Sequence, residues 1–207
     1  MGGRGVDGTP IFDELRDHFE ESHGRVDTPS RSGSGPRTQA ENENADRPPA
    51  KIVVTGGRGV GKTTFVGSVS DTDPVTVESA TDVGRITLHR DLVLYLLGTS
   101  EPSRAAFAGA LGAVVLVDPR RVADAFATIT YFERSDVPFI VAVNMFDGEL
   151  RHELDEYREA LGLRSDVPLT TCDARNSESA AQTLQELVSY TMNVGGSDHS
   201  PPPEVPA

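Results

Sequence analysis

Lys51–Phe65 reads KIVVTGGRGVGKTTF: a run of β-branched residues, a glycine-rich turn, then a lysine and two threonines. Gly56, Gly57, Arg58, Gly59, Val60, Gly61, Lys62 and Thr63 match the G-x-x-x-x-G-K-[ST] spacing of a phosphate-binding loop. Each residue type has a physical job there. Glycine permits positive φ and lets backbone N–H groups approach a polyphosphate closely. The anion rests at the N-terminus of a helix starting near Gly61, where unpaired N–H groups and the helix dipole favour negative charge. Lys62 supplies a point charge for the β- and γ-phosphates, the Thr63 hydroxyl is placed for Mg2+, and Thr64 continues the same nucleotide-contacting turn. A strand before the glycines and a helix after them complete the context. The chain therefore carries a nucleotide site. Arg58 is placed to point toward the γ-phosphate; its plainer alternative is an arginine turned to solvent.

From residue 50 to residue 192, short β-rich runs alternate with helical stretches: KIVVT, GRITLHR, LVLYLL, GAVVLVD, PFIVAVN and VPLTTCD among amphipathic segments such as RRVADAFATITYFERS and SESAAQTLQELVSYTM. This alternation predicts βαβ units and a doubly wound, mostly parallel α/β fold with helices on both faces. The apolar runs LVLYLL and GAVVLV suit strands buried on both faces. Asp118 and Pro119 are expected to cap and start the next helix. The charged stretch ELRHELDEYREALG reads as a solvated helix.

The flanks differ in composition. Residues 1–49 are rich in Gly, Ser, Pro, Asn and charge and cannot bury enough apolar surface to offset ordering entropy, so a disordered tail is expected. Within it, Ile11, Phe12, Leu15 and Phe19 fall at helical spacing, predicting a short helix over 10–21, either transient or docking on a partner or on its own domain. Residues 193–207 read as a Pro-rich disordered tail. The 207 residues carry a formal charge of -13, which argues against nucleic acid and anionic membrane as direct partners. The single Cys172 excludes an intramolecular disulfide framework. No apolar stretch reaches transmembrane length and the N-terminus lacks a hydrophobic signal core, so the expected setting is cytoplasmic.

The base is read elsewhere. PFIVAVN runs into NMFD, Asn144 to Asp147. A carboxylate at Asp147 can accept from the N1–H and 2-amino group of guanine, a donor pair that adenine lacks, while Asn144 braces the loop and the cradle. In TTCDAR, Cys172, Asp173 and Ala174 form the turn from which a backbone N–H meets the guanine O6. Cys172 itself is expected to be a small buried or loop residue without a nucleophilic role.

These motifs resemble the small Ras-like GTPases. More closely, GRITL…DLVLYLLGT, GALGAVVLVDPRR, YFERSDVPFIVAVNMFDG and CDAR resemble the conservon-encoded GTPases of actinobacteria (the CvnD family), which are related to the polarity GTPase MglA. The resemblance spans about Lys51 to Met192. It implies a three-layer Ras-like P-loop fold with a six-stranded sheet in the order 2-3-1-4-5-6. It also implies GTP or GDP with Mg2+, roadblock/LC7-type partners, and a cytoplasmic or membrane-peripheral signalling complex with a sensor-kinase-like protein.

The chain departs from that pattern where the γ-phosphate is sensed. The connection DTDPVTVESATDV is short, and Thr76 or Thr81 stands for the switch threonine that meets Mg2+. After LVLYLL the family carries G-T-P-G-Q-[DE]-R; here Gly98 and Thr99 are followed by Ser100, Glu101 and Pro102. Glu101 replaces a glycine, and Pro102 replaces the glutamine that orients water, offering neither side-chain donor nor N–H. Intrinsic hydrolysis in Ras is on the order of 10⁻⁴ per second even with that glutamine. Two readings follow: a weak GTPase activated by a partner, or a non-hydrolysing scaffold that holds guanine nucleotide. A P-loop metabolite kinase and a preference for ATP are the further alternatives, and NMFD and the short chain weigh against them.

Overall fold

The computed structural model describes residues 50–77, 81–89, 92–100, 107–146, 148 and 150–196. The expected helix over 10–21, both tails beyond these bounds, Glu101, Pro102 and Asp147 lie outside the described residues.

Seven strands form one sheet: β1 (Ala50–Gly56), β2 (Val75–Val77), β3 (Thr81–His89), β4 (Leu92–Gly98), β5 (Gly112–Val117), β6 (Phe139–Asn144) and β7 (Leu169–Cys172), in the order β2-β3-β4-β1-β5-β6-β7. Strands β4, β1, β5, β6 and β7 run parallel, while β3 is antiparallel to both β2 and β4. The expected six-stranded order is recovered with one correction: β2 adds a seventh strand at the edge. Its three residues are all exposed, and Val-Thr-Val is too short an alternation to mark a strand in the sequence.

Among the described residues the helices are α1 (Lys62–Val69), α2 (Phe126–Glu133), α3 (Leu154–Leu161) and α4 (Ser177–Gly196), with a 3-10 turn over Val122–Ala125 before α2. Period-two alternation splits the sheet between two cores. Ile52 and Val54 face α1 and α4, packing with Phe65, Val66, Leu184 and Leu187. Val53, Val115 and Val141 face the opposite way, onto Phe107, Ile129, Phe132, Tyr157 and Leu161. The result is three layers. β5 and β6 are buried at every position, as their unbroken apolar runs require. LVLYLL is different: Leu94 and Leu96 are buried, but Val93, Tyr95 and Leu97 are only half covered.

Two local expectations need correction. The charged stretch begins its helix only at Leu154, because Glu153 and Glu156 form a capping box there; Arg151 and His152 precede it. The last helix continues past Met192 to Gly196.

Candidate functional site

The parallel strands bring four loops to one end of the sheet. Gly56 pairs with Leu116, Val117 with Val143, and Asn144 with Cys172, so the chain leaves β1, β5, β6 and β7 at nearly the same level. Loops at the carboxyl ends of such strands are where ligands bind in open α/β sheets.

The glycine-rich loop takes the conformation its composition allows. Gly56, Gly59 and Gly61 have φ of 136°, 74° and 105°, a region costly for residues with a Cβ. At Gly56 a Cβ would also collide with the Leu116 carbonyl, and at Gly61 it would lie 2.7 Å from Asn144 Nδ2. α1 starts directly after Gly61 with no side-chain cap and no acidic residue in its first turn. Its first N–H groups therefore favour an anion.

Lys62 Nζ donates to the carbonyls of Gly56 at 3.1 Å and Gly57 at 2.8 Å. The residue is only 9% exposed. Burial pushes the ammonium below its ordinary value, and the Asp82 carboxylate partly opposes this. An ammonium that spends two of its three N–H groups on carbonyls at a helix N-terminus leaves one donor for an anion. Val60 is buried beneath the loop, whereas Arg58, Gly59, Thr63 and Thr64 are exposed.

Asn144, 3% exposed, braces two loops at once. Its Nδ2 donates to the Val60 carbonyl at 2.8 Å, and its Oδ1 accepts the Ala174 N–H at 3.1 Å. One backbone N–H of the turn expected to meet the guanine O6, that of Ala174, is thus already engaged within the protein. The neighbouring amides are engaged as well: the Asp173 N–H donates to Ser179 Oγ at 3.0 Å, and the Arg175 N–H to Asp173 Oδ1 at 3.0 Å. The Arg175 side chain, bonded to the Asp173 carboxylate, holds that carboxyl below its ordinary range. Cys172 is fully buried, and burial pushes its thiol up, away from the reactive thiolate.

On the other side of β1, three oxygen-bearing side chains meet. Thr63 Oγ1 donates to Asp82 Oδ2, and Thr76 Oγ1 donates to Asp82 Oδ1 at 2.7 Å. Register explains the meeting: Thr76 lies opposite Asp82, Asp82 opposite Gly98, and Gly98 opposite Val54. Of the two candidate threonines, Thr76 reaches this cluster; Thr81 pairs with Val77 across the β2–β3 ladder. Two hydroxyls and a carboxylate are hard oxygen donors, the set that suits Mg2+, so the residues present fit that ion. Asp82 was missed in the sequence. Its signal was an aspartate in phase with Gly84, Ile86 and Leu88, the inward face of β3. The expectation that Asp118 caps a helix is also corrected: its carboxylate accepts from the backbone N–H of Arg120 at 2.9 Å, and the following 3-10 turn is capped at Arg121 without a side-chain bond.

No protein-family model and no curated protein matches the chain. Solved structures do. The cytosolic domain of the FeoB iron transporter of T. maritima, in a GDP form, superposes with a TM-score of 0.52 at 14% identity, covering 70% of this chain and 64% of that one. The FeoB G-domain of Methanococcus jannaschii superposes at 0.51 with 15% identity, over 70% of this chain and 97% of that one. The chain thus spans under two thirds of the T. maritima domain and nearly all of the isolated G-domain. The likeness is one of fold: the chain shares the α/β architecture of these G-domains.

Proposed function

We propose that the chain binds GDP and GTP with Mg2+ as a small-GTPase-like signalling protein with weak intrinsic hydrolysis. The observation that carries this reading is Lys62, a buried ammonium held by the Gly56 and Gly57 carbonyls at the uncapped start of α1. A polyphosphate lying across Gly57–Thr63 gains the backbone N–H groups, the lysine charge and the helix N-terminus together. The guanine faces the Asn144–Asp147 loop and the Cys172, Asp173 and Ala174 turn, with Asp147 accepting from the base. Thr63, Thr76 and Asp82 hold Mg2+ beside the phosphates; the ion neutralises their charge when bound.

Competition against a labelled guanine nucleotide tests the base. GTP and GDP should displace it far better than ATP; equal displacement refutes the assignment.

The family resemblance supports roadblock/LC7-type proteins and a sensor-kinase-like complex as partners, in the cytoplasm or at a membrane periphery reached through them. The second reading, a scaffold that holds guanine nucleotide without cycling, is favoured by Glu101 and Pro102 standing where the family carries glycine and the water-orienting glutamine. Single-turnover hydrolysis with and without a roadblock-type partner separates the two. Acceleration by the partner selects the switch, and no turnover in either case selects the scaffold.

A further inference from the structure

The loop after β5 carries a buried carboxylate that belongs neither to the phosphate cradle nor to the oxygen cluster at Asp82. Asp118 is 4% exposed. Its Oδ1 accepts from the Arg120 backbone N–H and from Arg120 Nε, both at 2.9 Å. Its Oδ2 accepts from Arg120 Nη2 at 3.0 Å and from Arg121 Nη2 at 3.5 Å. The two arginines then reach different loops. Arg121 Nη2 donates to the Arg58 carbonyl at 2.7 Å, in the glycine-rich turn. The Arg120 guanidinium lies 4.2 Å from the centroid of the Phe146 ring, in the loop that follows Asn144. The arrangement follows from topology: β5 lies between β1 and β6, so its loop sits between theirs.

We propose that Asp118 is a positioning residue that ties the phosphate cradle to the base loop, through Arg121 on one side and Arg120 on the other. The inference rests on the reading that these two loops hold the two ends of a guanine nucleotide. Asp118 acts by ordering its neighbours. Both arginine side chains are about half exposed, at 45% and 51%, and a long cationic side chain in water keeps its rotamer freedom unless something fixes it. A desolvated carboxylate that accepts charge-assisted bonds from both guanidinium groups restrains them together, and Asp124 adds an ion pair to Arg121 at 3.5 Å. With both anchored, the Arg58 carbonyl is held outward, which leaves the loop's N–H groups to the phosphates, and Phe146 is held under a planar cation. The ring fixes the loop one residue before Asp147. Phosphate binding and base binding then stabilise the same arrangement, a coupling that acts equally in both directions.

Hydrogen exchange of the full-length, nucleotide-free protein tests the tie without relying on any nucleotide. In Asp118→Asn, amides of both the 57–60 and the 144–148 segments should exchange faster, by roughly tenfold. Arg121→Ala should speed only the first segment and Arg120→Ala only the second. Competition with GDP, ADP and pyrophosphate supplies the functional readout. Arg121→Ala should weaken GDP and pyrophosphate by the same factor, roughly threefold. Arg120→Ala should leave pyrophosphate unchanged and narrow the preference for GDP over ADP, and Asp118→Asn should do both. If Asp118→Asn leaves either segment exchanging as in the parent, or if each arginine variant loosens both segments alike, the proposal is overturned. Should Asp118→Asn fail to fold, the two arginine variants, altered only at half-exposed side chains, still decide by their segment selectivity. A parent protein with no preference for guanine would refute the proposed function, and the exchange pattern would still judge the tie.

Discussion

The two sides of β1 hold the candidate site in different ways. Toward β5, β6 and β7 the loops are joined by bonds between side chains and backbone: Asn144 to Val60 and Ala174, Arg121 to Arg58. The two Asn144 bonds set a fixed shape, since breaking either leaves a buried carbonyl or N–H unpaired. Toward β4, β3 and β2 the contacts are hydroxyls on a carboxylate, Thr63 and Thr76 on Asp82. Hydroxyls rotate, and a carboxylate exchanges them for a cation with little rearrangement. One side is a rigid cradle and the other an exchangeable donor set. A nucleotide-responsive change is therefore expected on the β2–β3 side, where the edge strand is short and exposed.

The largest effect should come from the cradle's charge. Lys62→Ala should lower GDP affinity by about 100-fold, the loss of a charge-assisted phosphate contact worth roughly 3 kcal/mol. Calorimetric titration measures it, and an affinity within a few-fold of the parent would break the assignment of this side as a phosphate site. Next is the brace. Asn144→Ala strands the Val60 carbonyl and the Ala174 N–H, costing about 3 kcal/mol and lowering the melting temperature of the nucleotide-free protein by roughly 6–12 °C. An unchanged melting curve would mean that the rigid side is rigid for another reason.

On the exchangeable side, Asp82→Asn should leave GDP binding in chelator nearly intact while removing most of its dependence on Mg2+. The ratio of GDP release rates with and without chelator should fall about tenfold. Thr76→Ala should produce a smaller fall, roughly threefold. Stopped-flow release of a labelled GDP provides the test, and a ratio that ignores Asp82 would remove it from the donor set.

Acid sharpens the contrast further. Hydrogen bonds from the Arg120 side chain hold the Asp118 carboxyl below its ordinary range. A carboxyl lower in the folded than in the unfolded chain stabilises fully above the unfolded value, about 3.9, and this contribution is lost as the pH falls through the folded value. Urea unfolding should therefore show Asp118→Asn less stable than the parent at pH 7, with the gap narrowing below about pH 4. A gap independent of pH would assign the loss to packing. The smallest effect is expected at Arg58, which is exposed. Arg58→Gly should change the ratio of GTP to GDP affinity by roughly threefold and leave guanine preference alone. An unchanged ratio would make it a solvated bystander.

The parts of the site legible in the sequence are those whose chemistry is local. Gly56 to Thr63 could be read because glycine, lysine and threonine at that spacing act within one turn, and positive φ at Gly56, Gly59 and Gly61 accords with it. The role of Asn144 as a brace was legible from the N-x-x-D pattern that follows a strand. Asp82 was not, because its partners Thr63 and Thr76 come from a helix and another strand and meet it only through register. Asp118 was misread for a related reason: the pattern Asp-Pro after a strand resembles a helix start, and only the flanking loops show that its carboxylate gathers two arginines. The β2 strand escaped notice because three exposed residues carry no burial pattern.

By itself, then, the sequence determined the alternation of strand and helix, the three-layer packing and the glycine-rich turn, all of which follow from hydrophobic period and from residues a few positions apart. The tertiary structure alone decided which threonine reaches the cluster, which carboxylate receives it, and how the loop after β5 links its neighbours. Those outcomes depend on strand order and register, which bring Thr63 to Asp82 across 19 positions of the chain and Arg121 to Arg58 across 63. No local propensity encodes such distances; they are set when the sheet assembles and its faces are buried.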